Sequence, residues 1–69
     1  MKELKLTKEY ITLGQLLKAC DLVMDGGEAK ERIQAGEASV NGEVDTRRGR
    51  KLYPEDVVSF DGSEIKVVR

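Results

Sequence analysis

A stripe of apolar residues with helical spacing runs through YITLGQLLKACDLV, near the start of the chain. Its members recur at intervals of three and four residues and are Leu13, Leu16, Leu17 and Cys20. Thr12 and Gln15 make the T-x-x-Q pattern of a capping box, in which each side chain bonds the other residue's backbone amide. The pattern predicts a first helix that begins after Thr12 and holds Cys20 as a small apolar side chain. Gly14 weakens such a helix by about 1 kcal/mol relative to alanine, so we expect another backbone segment to pack close to it.

A second and shorter helical pattern follows the break at DGG. The segment EAKERIQA places Ala29 and Ile33 one helical turn apart, which predicts a helix with one inward face. Asp25 or Gly26 is expected to cap its start, and Gly36 stands where a left-handed residue commonly ends a helix. Two helices joined by so short a connection are expected to pack against each other.

Beyond this second helix the apolar period becomes two, which is typical of strands. Asn41-Gly42 predicts a type I′ hairpin turn, and Asp61-Gly62 predicts a second tight turn. Pro54 occupies the second position of a further turn. These turns separate three or four short strands that end with SEIKVV, and the alternation in ELKL adds a short strand at the start. The predicted fold class is α+β, with two short packed helices on a small antiparallel sheet.

Size and composition restrict what the chain can do. Its 69 residues make one domain at most, residues 1–69, and 39% hydrophobic with 36% charged residues indicates a globular chain. There is no histidine, only one cysteine, and neither a GxxxxGK[ST] nor a GxGxxG motif. We therefore expect no enzyme activity, no metal and no cofactor. No apolar run is long enough for a secretory signal or a membrane span, which favours a cytoplasmic protein without a membrane partner.

The stretch DTRRGRK, residues 45–51 and here called the basic loop, concentrates cations in a chain of net charge −1. Four of its residues are cationic: Arg47, Arg48, Arg50 and Lys51. One interpretation is a solvated turn that only confers solubility. The other is a phosphate-binding surface, because clustered cations concentrate potential and the forked guanidinium donors of arginine match phosphate oxygens.

Cations on the predicted helices could extend this surface. Lys18 lies on the first helix and Lys30 on the second. Arg32 could reach the same ligand, or it could pair with Glu28 one helical turn earlier. Tyr53 follows the basic loop and could stack on a base, although packing in the core is the expectation.

These segments together resemble the RNA-binding domain first described in ribosomal protein S4. The resemblance is carried by ITLGQLLKAC, GGEAKERIQAGEASVNGEV and RRGRKLYPEDVVSF, and the chain is most similar to the small stand-alone members, the YaaA and YbcJ type. It implies the α-L arrangement of two helices on a small antiparallel sheet. It also implies binding to structured RNA, either ribosomal RNA or a ribosomal particle, with no small-molecule substrate. Matched by position, the RNA-binding residues are Lys18, Lys30, Arg47, Arg48, Arg50 and Lys51.

The chain departs from the family pattern at three places. At one of them Arg32 occupies a place that is usually apolar. Thr12 stands where many members have arginine, and Gly26-Gly27 stands where many have serine-arginine. These departures shift the expected binding toward the basic loop. The backbone amides of Gly26 and Gly27 could receive a phosphate at the helix N-terminus, or the two glycines could serve only as a turn. The alternative function is a protein-interaction adapter whose arginines dock on an acidic patch of a partner.

Overall fold

Two helices and seven short strands make up the fold in the computed structural model, which describes residues 1–69. In chain order they are β1 (Lys2–Lys5), β2 (Ile11–Thr12), α1 (Leu13–Ala19), α2 (Gly26–Gln34), β3 (Ala38–Val40), β4 (Glu43–Val44), β5 (Lys51–Leu52), β6 (Val57–Phe60) and β7 (Ser63–Val68). The helices α1 and α2 pack against each other and share one core with the sheet. The predicted α+β class is confirmed.

The strands form a five-stranded sheet and a separate two-stranded ribbon. The sheet has the order β1-β7-β6-β3-β4, and the ribbon pairs β2 with β5. All neighbours in the sheet are antiparallel except β1 and β7, which run parallel with Lys2 opposite Ile65. The sheet is therefore mostly antiparallel, and the parallel pairing of its first strand is a feature that the sequence pattern did not predict.

Turn chemistry explains how the sheet folds back on itself. Asn41 and Gly42 have φ values of 52° and 87°, and Asp61 and Gly62 have 51° and 81°. Two successive positive φ angles are the requirement of a type I′ turn, so the predicted hairpin at Asn41-Gly42 is confirmed. The predicted turn that contains Pro54 is also present, and the Asp56 amide donates to the Tyr53 carbonyl over 3.1 Å.

Both helices begin and end at the residues that local chemistry favours. The capping box is present, since the Gln15 amide donates to Thr12 Oγ1 and the Thr12 amide donates to Gln15 Oε1. Asp25 caps α2, which begins at Gly26, two residues before the predicted segment EAKERIQA. At the end of α2 the Gly36 amide donates to the Ile33 carbonyl, and the Glu37 amide donates to the Arg32 carbonyl. Gly36, with φ of 83°, completes this Schellman motif as predicted.

The core lies between the helix pair and one face of the sheet. It contains 14 buried apolar residues, including the predicted stripe of Leu13, Leu16 and Leu17 and the inward pair Ala29 and Ile33. Cys20 packs against this core, and burial raises the pKa of its thiol, which agrees with the apolar role expected for it. Neither helix is long and apolar enough to cross a membrane.

Candidate nucleic-acid interface

The basic loop is bonded directly to the first turn of α1. The Leu13 amide donates to the carbonyl of Arg50 over 2.8 Å, and the Gly14 amide donates to the carbonyl of Arg48 over 3.0 Å. The first amides of a helix lack partners within the helix, so the loop satisfies them. The antiparallel pairing of Thr12 with Lys51 continues the connection. The loop is therefore a fixed part of the fold and not a mobile tail of cations.

A buried aspartate organises the basic loop from within. Asp45 is only 7% exposed, and its carboxylate accepts hydrogen bonds from the Arg47 amide, from Arg47 Nε and Nη2, and from Arg50 Nη1 over 2.6–3.1 Å. The side-chain hydrogen bonds from Arg47 are the main reason that the pKa of Asp45 lies far below its ordinary value, and they outweigh burial, which would raise it. Arg47 and Arg50 thus use part of their donors inside the loop.

Sequence reasoning did not identify Asp45 as a functional or structural residue. The available signal was local, because an aspartate often accepts a hydrogen bond from the backbone amide two residues later in a turn. The Arg47 amide makes that bond to Asp45. Burial of the carboxylate depends on neighbours elsewhere in the fold, and the sequence pattern contains no sign of it.

The other predicted cations have no carboxylate partner. They are Lys18, Lys30, Arg48 and Lys51. Unpaired cations keep their full charge for an external anion, because no internal carboxylate offsets it. The structure therefore divides the predicted site into two arginines held by Asp45 and four cations without an ion pair.

Arg48 and Lys18 line one open groove, which we call the α1–α2 groove. Its volume is about 360 Å³, and its walls are Thr12, Gly14, Gln15, Lys18, Gly26, Ala29, Arg48 and Gly49. Lys30 follows the groove residue Gly26 by one helical turn but does not itself line the groove. A neighbouring depression is lined by Arg47, Gly49, Arg50 and Lys51. Gly49 belongs to both, so five of the six predicted cations line two adjoining depressions, and Lys30 lines neither.

Arg32 is occupied by internal contacts. Its guanidinium bonds Glu37 over 2.8–2.9 Å and lies 4.5 Å from the centre of the Phe60 ring. It also approaches Glu28 at 3.8 Å, which is the pairing that the helical spacing allowed, and Asp61 at 3.7 Å. The hydrogen bond that Arg32 donates to the Glu37 carboxylate is the main cause that raises the pKa of Arg32. Arg32 therefore joins α2 to the sheet and does not line the α1–α2 groove.

Tyr53 lies on the surface, so the expectation that it packs in the core is wrong. Its side chain is 44% exposed, and its ring centre is 6.1 Å from that of Tyr10, with the rings inclined by 51°. Leu52 takes the inward position of β5 and is fully buried. Because side chains alternate along a strand, the residue after Leu52 points outward.

Gly26 and Gly27 occupy the first turn of α2 and not a separate loop. Two carboxylates lie at the same end of the helix. Asp25 accepts from the Glu28 amide over 2.8 Å, and Glu28 Oε1 accepts from the Met24 amide over 2.7 Å. A phosphate on the two glycine amides remains a prediction, and repulsion by these carboxylates counts against it.

Comparison with known proteins places the chain in a family. The family model described as the S4 domain matches residues 4–68. The chain belongs to the S4 domain family. This S4 domain is 54% identical over 54 residues to the probable ribosome maturation protein RlbA of Bacillus subtilis (strain 168), a match that covers 78% of this chain and 76% of that protein. It is 36% identical over 59 residues to the putative RNA-binding protein YbcJ of Escherichia coli (strain K12), with 86% and 84% covered.

The solution structure of YbcJ from E. coli has the same fold as this S4 domain. The TM-score is 0.76 at 34% sequence identity, and the match covers 100% of this chain and 89% of YbcJ. That structure is described as revealing an alpha-L motif involved in RNA binding. The predicted resemblance and the α-L arrangement are thereby confirmed, and family membership identifies this chain as a binding protein and not an enzyme.

Proposed function

We propose that this S4 domain binds structured RNA through the α1–α2 groove and the basic loop. The observation that carries the proposal is that Lys18 and Arg48 line the same groove and that neither forms an ion pair with a carboxylate. They come from segments far apart in the chain, and the hydrogen bonds from α1 to the basic loop hold them together. Such fixed, unpaired cations suit the phosphates of a folded nucleic acid.

The mechanism is electrostatic and geometric. Lys18, Lys30, Arg48 and Lys51 each neutralise a phosphate, while Asp45 fixes the backbone that presents the loop cations. Counterions released from the RNA supply the free energy of binding, so affinity falls as salt rises. Few side chains on this surface could read base edges, so recognition depends on the shape and the phosphate positions of the folded RNA.

The target that we propose is ribosomal RNA or a ribosomal particle. Support comes from the relative named as a probable ribosome maturation protein, which covers most of this chain at 54% identity. YbcJ, named as a putative RNA-binding protein, supports the wider class of ligand. The alternative, an adapter that docks the basic loop on an acidic protein, predicts that binding follows a protein and does not require RNA.

The test compares two variants with the same change in net charge. The groove variant changes Lys18, Lys30, Arg48 and Lys51 to glutamine. The control variant changes Lys2, Lys5, Lys66 and Arg69, which lie on or beside β1 and β7, to glutamine. Binding of both variants and the wild type to a structured ribosomal RNA fragment is measured across a salt series, with circular dichroism to confirm folding.

The groove variant is expected to bind weakly, with the log–log salt slope reduced in magnitude by about 2.8–3.6, while the control variant keeps most of the wild-type affinity. If both variants lose affinity equally, net charge and not this surface determines binding. If the wild type does not bind the RNA, the RNA proposal fails and the adapter becomes the leading explanation.

A further inference from the structure

The outward face of the β2–β5 ribbon carries both tyrosines of the chain. In the ribbon Ile11 lies opposite Leu52, and both of these side chains pack toward the core. The next opposed position in this antiparallel register is that of Tyr10 and Tyr53. Because side chains alternate between the faces of a strand, the two tyrosines emerge on the side away from the core. Their ring centres are 6.1 Å apart.

Two polar residues share this face with the tyrosines. Thr12 lies opposite Lys51 in the ribbon, and Lys51 Nζ is 4.9 Å from the centre of the Tyr10 ring. Thr12 also lines the α1–α2 groove, and Lys51 lines the neighbouring depression beside Gly49. We call these four residues, Tyr10, Thr12, Lys51 and Tyr53, the tyrosine face. It is continuous with the surface on which the proposed RNA phosphates lie.

The tyrosine rings are accessible to a ligand. Tyr10 is 37% exposed and Tyr53 is 44% exposed, whereas Phe60, the only other aromatic residue, is buried at 1%. A cross-strand aromatic pair by itself stabilises a ribbon. Here Lys51 lies beside the pair, and Thr12 borders the groove that holds the unpaired cations Lys18 and Arg48. Aromatic rings next to a cationic groove are the combination used to hold single-stranded nucleic acid.

We infer that the tyrosine face binds an unpaired nucleobase by stacking, while Lys51 contacts the phosphate next to that base. This inference rests on the proposed function, because it names the kind of RNA that the same surface prefers. Bases inside a duplex are already stacked and cannot reach a protein ring, whereas bases in bulges, loops and single-stranded ends can. The preferred ligand is therefore a folded RNA with an unpaired nucleotide beside its helix and not a continuous duplex.

The experiment uses two hairpin RNAs with the same stem, one of which has a short single-stranded extension. The fluorescent base 2-aminopurine is placed in that extension, because its emission falls when it stacks. The proteins are the wild type, Tyr53→Leu, which keeps apolar bulk without a ring, and Tyr53→Phe, which keeps the ring. Tyr53 is on the surface, and circular dichroism verifies that both variants fold.

The wild type is expected to bind the extended hairpin about 5-fold or more tightly than the plain one and to quench 2-aminopurine. Tyr53→Leu should lose both the preference and the quenching, and Tyr53→Phe should keep both. If the wild type binds the two hairpins equally, or Tyr53→Leu keeps the preference and the quenching, the stacking inference is wrong. The proposed function would still hold in that case if the wild type binds the plain hairpin and the groove variant does not. If neither hairpin binds, both proposals are overturned.

Discussion

Gly14 and Arg48 are in direct contact, although they are far apart in the chain. The Gly14 amide donates to the Arg48 carbonyl over 3.0 Å, and a methyl group added at Gly14 would lie 2.6 Å from Arg48 Cγ. No real side chain tolerates so short a distance, so the Arg48 side chain can take its position in the α1–α2 groove only because residue 14 is glycine. The prediction that another backbone segment packs close to Gly14 is therefore confirmed.

Gly14→Ala should separate binding from stability. The added methyl would force the Arg48 side chain away from the groove, and Arg48 is exposed enough to move. Alanine favours the helix by up to about 1 kcal/mol, so we expect Tm to be unchanged or slightly raised. RNA affinity should fall by roughly 2- to 10-fold, as expected for one lost ionic contact. Thermal melts and fluorescence anisotropy measure the two effects.

Gly49→Ala is the matched control for that variant. It adds the same methyl group to the basic loop, and nothing lies within 4 Å of the position it would occupy. Because this methyl group would border the proposed site but displace no cation, we expect Gly49→Ala to reduce RNA affinity less than Gly14→Ala does. An equal loss of affinity in both variants would mean that the position of Arg48 does not determine binding.

Arg48 and Arg47 are neighbours in sequence and should behave differently when changed to glutamine. Arg48 has no ion-pair partner, so Arg48→Gln should keep the Tm and reduce the magnitude of the salt slope by about 0.7–0.9. Arg47 bonds the buried Asp45 carboxylate through Nε and Nη2, so Arg47→Gln should lower the Tm. Melting and salt-dependent binding of the two variants test this difference, and the same profile for both would contradict it.

Asp45→Asn should destabilise the fold more than any exposed aspartate would. The buried carboxylate accepts charged hydrogen bonds from Arg47 and Arg50, and an amide cannot replace them all. We expect a loss of about 1–3 kcal/mol in the free energy of unfolding, seen by urea titration. Asp21→Asn is the control, because the Asp21 side chain is exposed and makes no hydrogen bond or ion pair, and its positive φ of 57° is one that asparagine tolerates. A comparable loss in the control would show that charge alone is responsible.

The stabilisation from Asp45 should depend on pH in one direction. The arginines hold the pKa of Asp45 in the folded chain far below the ordinary value of 3.8. Because the pKa of Asp45 is lower in the folded chain, the carboxylate takes up a proton first in the unfolded state as the pH falls. Its contribution to stability is therefore complete above about pH 5 and declines as the pH falls below that. The difference in unfolding free energy between wild type and Asp45→Asn should shrink on acidification. A difference that grows toward low pH would show that this ion cluster is not its source.

Features governed by local chemistry could be predicted from the sequence. The capping box at Thr12 and the Schellman end at Gly36 each depend on residues within one or two helical turns. The hairpin at Asn41-Gly42 depends on two adjacent residues that accept positive φ. Because two helices and a set of hairpins leave few arrangements for a short chain, these signals were sufficient for the fold class.

Features that depend on distant segments could not be predicted in this way. The ribbon strands have two residues each, too few for a period, so their pairing is visible only in three dimensions. The burial of Asp45 and the outward position of Tyr53 follow from that pairing and from the loop that it closes. The candidate cations were predicted by type and position, but which of them are free of internal partners was not.

The hydrogen bonds that join the basic loop to α1 couple the site to the folding of the whole chain. Contacts between segments so distant in sequence carry a high loop-closure cost and are generally late to form. An unfolded or half-folded chain therefore carries the same cations but holds them in no fixed order. RNA bound to the native arrangement alone would shift the folding equilibrium toward the native state by mass action. Folding stability and the proposed RNA affinity are thereby coupled, so a variant that loosens the bonds between the basic loop and α1 is expected to lower both.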